Sequence, residues 1–546
     1  MKPSAQRAQV LVVGGGPVGL LLAAELAERG VHTVVLEAGT TPRDAPRAGT
    51  LHARTVQTLL RRGYLSVPDA TDPGDPRARR STGFHFAGLP LLRISAPTAE
   101  GPPVLGVPQS ALEETFAARA QEAGAVVLRG HTVCEVRSSE RSVRVTALTG
   151  EGTRTFDADY VAGCDGARSV VRTQAGFPVT ETPATFSGLI GSVRLAEPAA
   201  VPDGWTRGEG GWTLINVNPY GHSRVLTHDF SRPLPSRREQ VTLAGLRRVT
   251  ERILSRDVPM DQPVHLSRFS DFSRLADTYR SGRVLLAGDA AHIHAPLGGQ
   301  GLNTGIQDAV NLGWKLASVV QGHTTPNLLG TYGAERRPVA ERVIANTRVQ
   351  AWLMDPGAED GPPSAFLAEL IRVPEAGRRV ADEISGQSVA YAVPSCPHPW
   401  AGRFLPNHRL ATDTGDHTVA ELLGTGRHLL VLTPEAEGAL DRTALGRRDR
   451  LNSVRLRCAP PPDWPAEALL CRPDGYVAWA AEPGTATSAG LAEALTRWLG
   501  PPAAPVPETL QPGQTSAAPD PTRARAGQDR GNIRAGFQYP EFSTNC

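Results

Sequence analysis

Between an apolar run, Val10–Val13, and a helical run, Pro17–Arg29, the chain reads Gly14-Gly15-Gly16-Pro17-Val18-Gly19. A second strand-like run, Thr33–Leu36, then leads into Glu37, 21 residues beyond Gly16. Strand, glycine turn, helix and strand in this order predict a βαβ unit. Glycines at Gly14, Gly16 and Gly19 let backbone approach a pyrophosphate, and Pro17 suits the first helical turn, where no amide donor is needed. The helix N-terminus supplies amides and the positive end of a dipole, and a carboxylate at position 37 accepts hydrogen bonds from a ribose. These residues predict a dinucleotide site.

The rest of the 546 residues must be fitted around that unit, and 40% apolar residues are enough for two to four domains with real cores. A formal charge of +2 gives no global field to attract nucleic acid or an anionic membrane. The apolar run Val10–Ala24 is broken by glycines and too short to span a bilayer, so neither a signal peptide nor a membrane helix is expected. Six dispersed cysteines with no C-x-x-C pair argue against a disulfide scaffold, a zinc site or a redox dithiol, and fit a cytoplasmic protein. No metal is expected. Only Lys2 and Lys315 are lysines, which makes arginine the dominant cation.

Strand-like runs at 125–128, 143–147 and 158–162 continue the first domain, taken as residues 1–176. From 177 the texture changes to aromatic and β-branched runs, with GWTLINVNP (211–219) and SRVLTHDF (223–230) split by Tyr220-Gly221, an antiparallel hairpin. An inserted sheet domain is placed at 177–275. The α/β texture returns with the strand Val284–Ala287 and a long helix from Leu302, giving a second part of the first domain with a helical extension, 276–395. A Pro-rich junction at 396–400 precedes a smaller α/β block, 396–500, and the Pro-rich residues 501–546 are expected to be disordered.

Two further motifs place an aspartate directly after a strand: Val161-Ala162-Gly163-Cys164-Asp165-Gly166 and Leu285-Leu286-Ala287-Gly288-Asp289-Ala290. Either aspartate alone is compatible with a turn cap. Taken in order with the glycine turn, and with Ala295-Pro296-Leu297-Gly298-Gly299-Gln300-Gly301-Leu302-Asn303-Thr304 entering the long helix, the sequence resembles the FAD-dependent aromatic hydroxylases of the p-hydroxybenzoate and phenol hydroxylase type. The resemblance continues through Gln307–Leu316 and Tyr332 to Pro338.

The resemblance implies an α/β fold: a Rossmann-like FAD-binding domain, an inserted antiparallel-sheet substrate domain and a C-terminal thioredoxin-like domain, here without a redox dithiol. It implies FAD held by Gly14, Gly16, Pro17, Gly19, Glu37, Arg47, Gln109, Asp165 and Asp289, with Asp289 on the ribityl chain. Gly299, Gly301, Leu302 and Asn303 complete the cofactor set, and Pro296, Gly298 and Gly299 offer catalytic backbone to the flavin ring. Arg119 and, more weakly, Arg54 match arginines near the cofactor.

The absence of a second G-x-G-x-x-G after a strand implies that NAD(P)H visits without its own domain. The expected reaction is insertion of one oxygen atom from O2, through a C4a-(hydro)peroxyflavin, into a polycyclic aromatic polyketide-type substrate. Baeyer–Villiger oxygenation and a redox-inert flavin-binding module are the alternatives. Halogenation is disfavoured: residues 3–314 contain no lysine, and Gly211–Ile215 lacks the second tryptophan of W-x-W-x-I-P. Trp212, Leu214 and Asn216 share one strand face by period-two alternation and are the expected substrate contacts, against the simpler reading that Trp212 and Leu214 are sheet core. His222 and His228 give weak evidence for a base. Cys458 and Cys471 read as core residues, and the C-terminal block as a packing or oligomerisation element, so a homo-oligomer is compatible with it.

Overall fold

The computed structural model describes residues 6–42, 49–66, 81–97, 100–231, 234, 239–357, 362–424, 426–436, 438–464 and 466–502. Arg47 and the tail beyond 502 lie outside the described residues. The first layer is an eight-stranded sheet containing β1 (Gln6–Val13), β2 (Thr33–Glu37), β3 (Val126–Arg129), β4 (Gly152–Gly163) and β5 (Val284–Leu286). These five run parallel in the spatial order β5-β4-β1-β2-β3. Buried on both faces, β1 and β2 are nearly continuous apolar runs, as expected of a parallel sheet covered by helices.

The register does the work of assembly. Val13 lies opposite both Leu36 and Gly163, and Gly163 lies opposite Leu286. Four strands therefore end at one level, and each chain leaves it hydrogen-bonded to its neighbour: Gly14 N donates to Leu36 O, Cys164 N to Val13 O and Ala287 N to Gly163 O, at 2.8, 2.8 and 3.0 Å. In open α/β sheets this carboxyl edge is where ligands bind.

Two helices cross behind that edge, α1 (Pro17–Ala27) and α2 (Gln300–Val320). Their close approach depends on glycine: a Cβ at Gly305 would lie 2.6 Å from Val18, and one at Gly313 would lie 2.6 Å from the Glu25 Cβ. α3 (Gly330–Met354) follows and contains Pro338.

The inserted domain is a five-stranded antiparallel sheet in the order Gly204–Gly208, Gly211–Asn216, Ser223–Asp229, Ser187–Leu195, Met260–Ser270. Its stem is a pair of strands, Val179–Thr182 outbound and Ser273–Ala276 returning, which pair with each other. The helix Leu243–Leu254 covers one face through Leu246, packed with Val193, Ile215 and Val225. The other face packs into a second core holding Phe84, Phe86, Phe186, Trp212, Leu297 and Met354, so it looks toward the turn that precedes α2.

The C-terminal domain has a β-α-β unit, His428–Leu432, Gly438–Ala444 and Leu451–Arg455 with parallel strands. An antiparallel pair, Ala468–Cys471 and Val477–Ala481, and the helix Ser488–Leu499 follow. This is the thioredoxin-like arrangement. Cys471 is buried, with its thiol pushed up to about 12 by desolvation, while Cys458 is exposed. No helix among the described residues is long and apolar enough to cross a membrane, and no group of three or more His, Cys, Asp or Glu side chains there could hold a metal ion.

Candidate functional site

The turn after β1 is dictated by contact. Gly14 has φ +108°, and a Cβ there would lie 2.3 Å from Cys164 O; one at Gly19 would lie 2.0 Å from Gly14 O. These glycines are required by the protein's own packing. Gly16 differs: its φ is −80° and a Cβ would meet nothing within 4 Å. The open space lies at the N-cap of α1, which has no side-chain cap, so its first amides face a gap shaped for an anion. Glu37 closes the gap on one side, with its carboxylate accepting from Gly15 N at 2.6 Å and Gly39 N at 2.8 Å. Gly16→Ala is expected to leave folding stability within about 0.5 kcal/mol, as for a substitution in open space, while weakening FAD by about tenfold, close to 1.4 kcal/mol. Thermal unfolding of the apoprotein beside FAD titration checks both halves.

Asp289 is exposed between buried Gly288 and Ala290, at the end of the fully buried strand β5. Its turn is fixed from behind. Asp308 on α2 accepts from Gly288 N (3.1 Å) and from His292 Nε2 (2.7 Å), and receives Arg336 Nε at 2.7 Å. The Arg336 guanidinium and His292 beside it hold the Asp308 carboxyl below the usual range despite complete burial. Asp308 and Arg336 thus fix the turn that carries Asp289. Asp289→Ala, which removes a charge-assisted hydrogen bond, should raise the FAD dissociation constant by roughly ten- to a hundredfold, about 1.5–3 kcal/mol, in equilibrium dialysis.

Asp165 is placed differently from Asp289. Its carboxylate accepts from Ser169 Oγ (2.5 Å), Val170 N (2.7 Å) and Val171 N (3.1 Å), so it holds the N-cap residue Ser169 and the first amides of the short helix Val170–Gln174. The turn-cap reading describes its geometry here. Arg119 lies away from the glycine turn, paired with Glu28 at the far end of α1. Arg54 is buried with its guanidinium 3.8 Å above the Phe404 ring, on the side of the C-terminal domain. Gln109 opens its helix and donates to Glu113 at 2.7 Å.

The turn before α2 is the third part of the site. Gly298 and Gly299 are both left-handed, φ +70° and +62°, where a side chain would cost roughly 1–2 kcal/mol each. Gly299 is the exposed N-cap of α2 and offers no side chain to its amides; Pro296 is exposed beside it. Asn303 holds the turn in place: its Nδ2 donates to Gly299 O and Thr50 O, and its Oδ1 accepts from His52 N. Its amide is committed to the loop. Gly301 leaves room for His294, whose Nε2 is 3.4 Å from where a Cβ would stand, and Leu302 is half-buried against the main core.

His52, which the sequence motifs did not mark, reaches the same turn. Its Nε2 lies 2.8 Å from Gly298 O, and burial lowers its pKa to about 4. An edge-on contact carries the cluster from His52 to Phe84, a stack carries it to His85, and then Trp205 and His228 follow, with centroid separations of 5.2, 4.6, 5.0 and 5.0 Å. His85 and His228 are lowered to about 4 and about 3, again by burial first and a neighbouring histidine second. Trp212 and His228 are cross-strand partners, so they share the sheet face that looks toward the turn. Trp212 gives its Nε1 to Met354 O at 2.8 Å, which favours the core reading for this side chain. Leu214 and Asn216 lie half-buried on the same face, and the Asn216 Oδ1 is buried without a partner among the described residues. His222 is exposed and turned to Gln262 O.

Four strand ends at one level, two helix N-termini without side-chain caps, an exposed carboxylate and a cluster of aromatic rings packed beside the turn of the second helix define a dinucleotide-dependent α/β enzyme. Residues 7–347 match the family model described as an FAD binding domain, and residues 398–502 match that of the aromatic-ring hydroxylase C-terminal region. The chain belongs to the FAD-dependent aromatic hydroxylases and is a flavoprotein monooxygenase. It is 38% identical over 521 residues to a 12-dehydrotetracycline 5-monooxygenase/anhydrotetracycline 6-monooxygenase of Streptomyces rimosus, covering 91% of this chain and 100% of the relative. A dialkyldecalin synthase of Streptomyces rugosporus is 37% identical over 500 residues, 90% of this chain and 99% of the relative. Among solved structures, an anhydrotetracycline hydroxylase from Streptomyces rimosus superposes with a TM-score of 0.82 at 37% identity, covering 91% of this chain and 100% of that one.

Proposed function

We propose that this enzyme oxidises NAD(P)H and inserts one atom of O2 into a polycyclic aromatic polyketide-type substrate, with the other atom leaving as water. Bound FAD supplies the electron transfer and oxygen activation. The observation that carries the reading is an aromatic face: rings from the inserted sheet and from the Ser81–Phe86 strand pack together beside the Leu297–Gly299 turn. The relatives named for tetracycline-type substrates support the substrate class.

The chain's own contribution is positional and electrostatic. The amides of α2 that lack a side-chain cap offer donors to negative charge on the bound ring without any titrating side chain. His52, His85 and His228 are neutral at physiological pH, so the aromatic face adds polarity without charge. Their burial excludes water from the reacting face. The test supplies FAD, NADPH or NADH, labelled O2 and a panel of polycyclic aromatic ketides. Product with one labelled oxygen on a ring carbon supports hydroxylation, an ester product indicates Baeyer–Villiger oxygenation, and NAD(P)H consumption giving only hydrogen peroxide refutes the proposal.

A further inference from the structure

Besides His52 and Asn303, a chain of side-chain amides holds the turn before α2. Asn346 and Gln350 lie one helical turn apart on α3. Gln350 Nε2 donates to Asn346 Oδ1 at 2.7 Å. Gln300 Nε2, at the first position of α2, donates to the same oxygen at 3.2 Å and to Leu297 O at 3.3 Å. Gly298 rests directly on these amides: a Cβ there would stand 3.2 Å from Gln300 Nε2 and 3.5 Å from Gln350 Nε2.

The other end of the chain reaches the aromatic cluster. Gln350 Oε1 accepts from Ala87 N at 3.2 Å. Ala87 and Gly88 form the tip of the hairpin between Ser81–Phe86 and Leu89–Ser95. Ala87 has φ +51°, a conformation that a residue with a side chain keeps only where its surroundings hold it. Gly88 lies against Trp212, since a Cβ there would stand 2.7 Å from the indole ring. Phe84 and His85 on the same hairpin pack into the ring cluster with Trp205 and His228. Gln300 and Gln350 are 2% and 0% exposed, so their amides are tolerated because they are bonded. Apolar side chains could fill the same space; hydrogen-bonded amides also fix the distance between the two ends.

We propose that Asn346 and Gln350 are positioning residues for the oxygenation: they set the spacing between the Leu297–Gly299 turn and the hairpin that carries the aromatic face. This rests on the reading that the flavin ring lies against that turn and the substrate against that face. With the spacing kept, NAD(P)H, a proton, O2 and a substrate C–H give NAD(P)+, C–OH and water. With it lost, the same NAD(P)H, proton and O2 give NAD(P)+ and hydrogen peroxide, and the substrate is left unchanged. Asn346 serves as an acceptor, because both bonds from the neighbouring amides end on its Oδ1. Its side chain is only half-buried, so a carboxylate oxygen can take over that role and an alkyl group cannot.

The test compares FAD-loaded wild type with Asn346→Leu, Asn346→Asp and Gln350→Met. Two readouts need no substrate: visible circular dichroism of the bound flavin, and quenching of its fluorescence by iodide. A third is hydrogen peroxide formed per NADPH consumed with a panel of polycyclic aromatic ketides. Asn346→Leu should hold FAD within about threefold of the wild-type dissociation constant, because no bond of the glycine turn or of Asp289 is touched. Its iodide quenching constant should rise about twofold or more, with an altered dichroism, and its peroxide yield about threefold or more, as a ring turn out of place admits water and misaligns the reactants. Gln350→Met should behave alike, and Asn346→Asp should follow wild type. If Asn346→Leu fails to fold, Gln350→Met, of similar shape, decides. Unchanged flavin spectra, quenching and peroxide yield in the folded variants overturn the proposal, as does Asn346→Asp shifting as far as Asn346→Leu. A wild-type enzyme that consumes NADPH and oxygenates no probe refutes the monooxygenation reading instead, while the two flavin readouts still decide whether the amides position the turn.

Discussion

Replacing Arg472 by methionine is expected to destabilise the protein by about 3–5 kcal/mol, the usual consequence of removing one partner from a buried ion pair. Arg472 is fully buried at the contact of the C-terminal domain with α2 and α3. Its guanidinium donates to Glu335 Oε1 and Oε2 at 2.7 and 2.9 Å and to both oxygens of Asp474. Lys315 Nζ reaches the same Glu335 oxygen at 2.7 Å and Trp314 Nε1 reaches Asp474 at 3.1 Å. Two cations and two anions balance, and the rings of Trp314, Tyr391, Tyr476 and Trp498 surround the guanidinium at 5.0–5.7 Å. Without Arg472 the Glu335 and Asp474 carboxylates keep the neutral donors Asn311 and Trp314 but face a single cation, Lys315, at hydrogen-bond distance from Glu335. Burial has already lowered the Lys315 pKa to about 8. The measurement is thermal unfolding together with limited proteolysis: the C-terminal domain should become protease-sensitive before the FAD domain. Arg472→Met within 1 kcal/mol of wild type would show that the cluster does not hold the domains together. In a Glu335→Gln background the same substitution should cost less, because fewer charges are left stranded.

Acid should unfold the protein steeply between about pH 6 and pH 5, with a slope on the order of 5 kcal/mol per pH unit if four buried histidines titrate together in the unfolded chain. His52, His85, His228 and His428 are all buried, with values lowered to about 4, 4, 3 and 3, mainly by desolvation. Between the ordinary value of 6.5 and those lowered values the unfolded chain binds more protons than the folded one. Stability therefore falls as pH falls through that window and is fully present above it. The groups sit at both junctions of the molecule, three in the ring cluster and His428 edge-on to Trp314 at the C-terminal contact, 5.1 Å between centroids. Near-ultraviolet circular dichroism against pH reads the transition. Retention of the native signal down to pH 4 would show that these rings are not held neutral by burial. His85→Phe should move the midpoint to lower pH by removing one titrating group.

The glycine turn could be read from the chain because its physics is local. A strand, a turn that only glycine can make and a helix starting at Pro17 specify each other within 25 residues, and Glu37 follows at a distance fixed by the length of that helix. The left-handed pair Gly298-Gly299 and the long helix after it are legible for the same reason. The hairpin at 211–229 is also local, and alternation correctly put Trp212 and Leu214 on one face.

Questions of partnership were settled only by the tertiary structure. Asp165 and Asp289 both follow a buried strand in similar motifs, yet one accepts from the first amides of a short helix and the other is exposed. For Asp165 the decisive neighbours are Ser169, Val170 and Val171, whose hydroxyl and amides stand within reach of its carboxylate. Arg472-Pro473-Asp474-Gly475 has the local composition of a turn, and nothing local shows that Glu335, 137 positions earlier, will be folded against its arginine. His52, His85, Trp205 and His228 have no common spacing. They become one packed ring cluster because strand register and the stem of the inserted sheet bring them together. The sequence by itself determined where the backbone must turn and which helices must begin there. Which polar groups would be buried facing one another depended on the distances that packing closes, and those distances are set by the whole fold.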